Sequence, residues 1–111
     1  MDVPEIDIVA AADRHAGGAP FFDVREPDEY VAGHVPGATS VPLGQVAGRV
    51  AEFPGGVEVL VICRSGARSA QACEILRSAG VEAVNVAGGT MAWIEAGNRV
   101  VEGADAGTLE A

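Results

Sequence analysis

Apolar residues along this chain gather into short runs, and these alternate with stretches where apolar positions recur every three to four residues. The clearest run is "VEVLVI", residues 57–62, short, β-branched and nearly all apolar. That composition marks a strand covered on both faces. "VPEIDI" alternates and predicts a first strand, "APFFDV" (19–24) a second, and Thr39–Val41, after the turn residues of "HVPGATSVPL", a short third. "VEAVNVAGG" predicts a last buried strand that ends in Gly-Gly. Helical patterns fill the gaps. "VAAADRHAGG" is Ala-rich and stopped by Gly-Gly. In "REPDEYVAG", Pro27 suits a first turn, Asp28 and Glu29 suit the positive end of the helix dipole, and Gly33 is the stop. "LGQVAGRVAEF" sets Leu43, Val46, Val50 and Phe53 at helical spacing. From Arg68 to Ala79, one face carries Ser69, Ala72, Cys73, Leu76 and Ala79, and Gly80 closes the helix. "TMAWIEAG" predicts a final short helix with Thr90 as its N-cap.

This alternation predicts an α/β domain with a central, largely parallel five-stranded sheet and helices on both faces. In such a fold, ligands sit at the carboxyl ends of the strands. The 111 residues suit one domain, with no internal repeat, and at 5% aromatic content the core must come from Val, Ile, Leu and Ala. Residues 102–111, small and acidic, are expected to form a flexible tail. Sixteen acidic residues against seven basic ones, all arginine, give a net charge of −9 with no basic patch. No nucleic-acid partner is expected from such a surface. No apolar stretch approaches the ~18 residues of a membrane span, so no membrane partner is expected either. The acidic N-terminal segment argues against a signal peptide, and a cytoplasmic location is expected. Cys63 and Cys73 make no disulfide framework, and with two histidines they offer no metal-ligand spacing, so no metal or cofactor is expected.

The candidate chemistry lies in "CRSGARS", residues 63–69, between the best strand and a helix start. Backbone N–H groups at a helix N-terminus are unpaired and the dipole is positive there. Gly66 lets the loop curl so that several N–H groups converge, and Arg64 and Arg68 add charge. An anion is favoured at the centre, and a cysteine there would ionise readily. A cysteine closing a core strand can instead be a small buried hydrophobe. Arg64 could also face solvent, and Arg68 could pair with a structural acid. Cys73, on the inward face of the following helix, is expected to be packed rather than to act as a resolving thiol.

"CRSGARS" behind a buried strand, with "DVREPDEYVAGHVPGATSVPL" upstream and "VAGGTMAWIEAG" downstream, resembles a rhodanese (sulfurtransferase) domain over residues 4–101. The resemblance implies a sulfurtransferase in which Cys63 takes sulfane sulfur from a small donor such as thiosulfate, becomes a persulfide, and passes the sulfur to a thiol, cyanide or protein acceptor. Arg64, Ser65, Gly66, Ala67 and Arg68 match the loop that cradles the persulfide, with the two arginines able to bind sulfonate oxygens. Asp23 and Arg25 are expected to brace that loop, His34 to tie a turn, Ser69 to support the site, and Trp93 to pack in the core. Cys63 and Arg68 are separated by four residues. Cysteine-dependent phosphatases carry one more there, and a His where this chain has Ile62. The shorter loop favours sulfur over phosphate or arsenate chemistry. A non-catalytic binding module of the same family is the alternative, disfavoured by the intact Cys63.

Overall fold

The computed structural model describes residues 2–107. Five parallel strands form one sheet: β1 (Glu5–Ile6), β2 (Phe21–Asp23), β3 (Thr39–Ser40), β4 (Glu58–Ile62) and β5 (Glu82–Val86), in the order β1-β5-β4-β2-β3. The helices are α1 (Ile8–Ala16), α2 (Pro27–Ala32), α3 (Leu43–Val46), α4 (Ala67–Ser78) and α5 (Gly89–Glu95). Strand β4 is central, and four of its five residues are buried, as its unbroken apolar run demands.

Successive β4 residues point to opposite faces, and each face has its own core. Val59, Val61 and Cys63 pack with Phe22, Phe53, Val46 of α3, and Ala72, Cys73 and Leu76 of α4. Leu60 and Ile62 pack on the other side with Phe21, Ala11 of α1, Tyr30 of α2 and Trp93 of α5. Trp93 is thus a core residue, edge-on to Phe21 and His15, with its indole N–H donated to Arg99 O at 2.8 Å.

Two expectations need correction. The segment 43–53 is not one helix: α3 gives way to a 3-10 segment over Ala47–Glu52, where Arg49 leaves helical geometry (φ −122°, ψ 21°). Gly44 and Gly48 weaken the helix there, while Val46 and Phe53 still reach the core. Thr90 is not an N-cap: Gly88 caps α5 and Thr90 lies inside the first turn. From Val101 onward the chain makes backbone hydrogen bonds with α2 and the turn after it. His34 and Val101 exchange backbone hydrogen bonds at 2.9 Å, Gly103 N–H donates to Val31 O at 2.8 Å, and Gly37 N–H to Ala106 O at 2.7 Å. Residues 108–111 of the expected tail lie outside the described residues.

Candidate active site

Cys63 is the first residue beyond the carboxyl end of β4. Strand β2 runs beside it, with Asp23 in register with Ile62 and Val24 N–H donated to Ile62 O at 3.0 Å. The loop then turns at Gly66, whose φ of +117° belongs to the region that favours glycine. This turn aims the Gly66 N–H back at Cys63 Sγ, at 3.1 Å, and α4 begins at the next residue. The Ser69 hydroxyl, one turn into α4, reaches the same sulfur at 3.2 Å.

The carbonyls of the loop are held from outside. Thr90 donates to Cys63 O from its backbone N–H (2.8 Å) and from its hydroxyl (3.0 Å), and Met91 N–H donates to Arg64 O at 3.1 Å. Asn85 of β5 donates to Gly66 O at 3.1 Å and to Glu5 at 2.9 Å, and its own oxygen lies against the Ser69 hydroxyl and shares that proton with the sulfur. With the carbonyls of Cys63, Arg64 and Gly66 paired, the loop presents its N–H groups to the sulfur. Close approach makes this possible. At Gly89 (φ +59°) a Cβ would sit 2.6 Å from the carbonyls of Cys63 and Arg64, so only glycine lets α5 lie against the loop.

Burial opposes ionisation of Cys63, which is only 1% exposed. The Ser69 hydroxyl and the backbone N–H groups of Ser69, Gly66 and Ser65 outweigh it and hold the thiol below its ordinary pKa.

The two loop arginines part company. Arg64 is exposed, and its side chain has no hydrogen-bond or ion-pair partner among the described residues. Arg68 forks onto Glu29 of α2, with N···O distances of 2.7 and 2.9 Å. Glu29 also accepts the Glu26 backbone N–H at 3.0 Å. The guanidinium beside it brings the Glu29 pKa down to about 2. Ser65 and Ala67 are exposed and Gly66 is half-buried, so the loop's outer surface faces solvent.

Asp23 and Arg25 are buried and paired at 2.7 Å, and Arg25 also donates to Gly33 O at 2.8 Å. Neither makes a hydrogen bond or ion pair to the 63–68 loop. Their contacts pin the ends of α2, the helix that carries Glu29. His34 is fully buried, stacked on Tyr30 at 3.6 Å, with Nδ1 on Tyr30 O (2.8 Å) and Nε2 facing Asp105 O (3.0 Å). It ties the turn after α2 and has no hydrogen bond to the loop. Among the described residues, no group of three or more His, Cys, Asp or Glu could hold a metal ion, and no helix is long and apolar enough to cross a membrane.

Glu29, Asn85, Gly89 and the hydroxyl of Thr90 escape sequence reasoning as site residues. Asn85 alone left a usable signal, being a polar residue inside the otherwise apolar run "VEAVNVAGG".

The family model described as Rhodanese-like domain matches residues 9–96. A sulfurtransferase of Allochromatium vinosum is 40% identical over 80 residues, covering 71% of this chain and 75% of that protein. An HTH-type transcriptional regulator of Mycobacterium tuberculosis is 38% identical over 96 residues, covering 85% of this chain but 42% of the regulator, so the chain spans less than half of that relative. The crystal structure of a rhodanese-related protein from Thermoplasma volcanium has 32% identity and a TM-score of 0.81, covering 88% of this chain and 97% of that one. The strand–loop–helix built around Cys63 therefore has a place in a known lineage, and the chain belongs to the rhodanese-like domain family.

Proposed function

We propose that this protein is a sulfurtransferase that moves sulfane sulfur from thiosulfate or a persulfide donor to a thiophilic acceptor through a persulfide on Cys63. The observation that carries the reading is the convergence of N–H and O–H donors on one sulfur at the end of β4. A structural cysteine has no use for a ring of donors; a thiolate nucleophile does.

Thiolate Cys63 attacks the outer sulfur of thiosulfate. A new S–S bond forms to Cys63, the S–S bond of thiosulfate breaks, and sulfite leaves with its electron pair. The loop N–H groups of Ser65 and Gly66 hold the terminal sulfur as they held the thiolate. An acceptor thiolate then attacks that terminal sulfur, and Cys63 leaves as thiolate, with no net oxidant needed. Arg64 is the cation open to the sulfonate oxygens. Arg68 acts through its fork on Glu29, and Asp23, Arg25 and His34 hold α2 and the following turn in place.

Intact mass spectrometry tests the reading. Thiosulfate should add one sulfur atom, located on Cys63 and removed by dithiothreitol, with release of sulfite. In Cys63→Ser, adduct and sulfite release should both vanish. Unchanged turnover in that variant would end the enzymatic reading.

A further inference from the structure

Two guanidinium groups belong to the six-residue loop from Cys63 to Arg68, and the fold leaves only one of them open. Arg68 directly precedes Ser69, whose hydroxyl lies 3.2 Å from the Cys63 sulfur, yet both arms of its fork are on Glu29. Glu29 is itself fixed by the Glu26 backbone N–H, so the carboxylate cannot follow the guanidinium outward without leaving the start of α2. The neighbouring Asp23–Arg25 pair is likewise closed on itself. Around the sulfur, therefore, two ion pairs cancel, Arg64 is the one open cation of the loop, and the anions without an ion-pair partner among the described residues are the Cys63 thiolate and the Glu5 carboxylate behind Asn85. The chain as a whole carries −9. A dianion approaching a thiolate against one open cation is repelled more than a monoanion with the same reacting bond.

We infer that Glu29 is a specificity-determining residue: by neutralising Arg68 it holds the loop to a single open cation and favours monoanionic sulfane-sulfur donors, such as organic persulfides and thiosulfonates, over dianionic ones. The inference rests on the sulfurtransferase reading above. Release of Arg68 would add a second cation without moving the nucleophile, and the benefit would fall on the dianion.

Thiosulfate and methanethiosulfonate make the test, because a methyl group replaces one charged oxygen while the reacting S–S bond is retained. With methanethiosulfonate, Cys63 takes the outer sulfur and methanesulfinate leaves with the electron pair. The kcat/KM ratio of thiosulfate to methanethiosulfonate is measured in the parent, Glu29→Gln, Arg68→Gln and the double variant. The ratio should rise at least fivefold in Glu29→Gln, chiefly through KM for thiosulfate, and shrink back as salt is added. It should fall at least fivefold in Arg68→Gln, which leaves Glu29 unpaired. In the double variant it should return to within twofold of the parent. A purely structural role would slow both donors alike and leave the ratio unmoved, which overturns the inference while the sulfurtransferase stands. If Glu29→Gln fails to fold by circular dichroism, Arg68→Gln decides, and an unmoved ratio there overturns it equally. If neither donor places sulfur on Cys63 of the parent, as read by intact mass, the sulfurtransferase reading itself falls.

Discussion

Cys63 and Cys73 are ten residues apart, buried in the same cluster and equally hidden from solvent, at 1% and 0% exposure. Their chemistry is opposite. Around Cys63 burial is overcome by the Ser69 hydroxyl and a set of backbone N–H groups, and the thiol ionises below its ordinary pKa. Around Cys73 burial is unopposed except by Arg77 at a distance, the charge on Cys63 works in the same direction as burial, and the thiol is pushed up to about 12. Exposure does not separate the proposed nucleophile from a core residue here. What separates them is whether the backbone ends or continues. Cys63 stands where a strand has stopped and a helix has not yet begun, so N–H groups are free to face it. Cys73 stands mid-helix, where every nearby N–H is already paired along the helix.

The largest effect expected from this contrast is in thiol reactivity. With a pKa of about 12, only about one Cys73 in ten thousand is thiolate at pH 8. Iodoacetamide should therefore label Cys63 at least a hundredfold faster than Cys73 in the native protein, as read by peptide mapping. Equal rates would break the comparison outright.

Removal of the Ser69 hydroxyl should sharpen it. Ser69→Ala takes away the side-chain donor to the sulfur, so the Cys63 pKa should rise. Turnover near pH 7 should fall about tenfold, the effect of losing one hydrogen bond to a charged group of roughly 1.5 kcal/mol. The deficit should shrink as pH rises and the thiol ionises without help. A loss of the same size at every pH would mean that Ser69 matters only for packing.

The smallest effect belongs to Cys73. Cys73→Ala should leave turnover within about threefold, roughly 0.6 kcal/mol in the barrier, and should cost about 1 kcal/mol of stability through a small cavity. The pH dependence of stability then has opposite signs at the two sites. Cys63 has a lowered pKa, so its contribution is present above the ordinary thiol value and is lost as pH falls through the folded value. Cys73 has a raised pKa, so its contribution is present below the ordinary value and is lost as pH climbs toward 12. Urea denaturation at pH 8 and pH 10 should show the gap between parent and Cys73→Ala narrowing at the higher pH. An unchanged gap would mean that Cys73 ionises as easily in the folded state as in the unfolded chain.

Much of this molecule is legible along the chain. Every strand and helix has a counterpart in the hydrophobic pattern, because periodicity and turn residues act over a few neighbours. The change to 3-10 geometry after Val46, with its break at Arg49, is hidden by the pattern, since Val46, Val50 and Phe53 still face the core through it. Cys63, Gly66 and Ser69 could be placed in one site from sequence because a strand end, a glycine turn and a helix start are local features. The rest of the site is not local. Asn85 reaches Gly66 from another strand, Gly89 is compelled by backbone from a different segment, and Thr90 serves Cys63 rather than its own helix.

The sequence by itself determined an α/β alternation, a cysteine at the carboxyl end of the central strand, and a helix start beside it. Each of these follows from patterns read within about ten residues. Only the tertiary structure decided which charges stay open around that cysteine. Arg64 and Arg68 look equivalent in "CRSGARS", but a carboxylate 39 residues away meets one and not the other. An ion pair depends on a separation of a few ångströms between groups whose distance along the chain carries no information, so the fold alone settles which arginine is free.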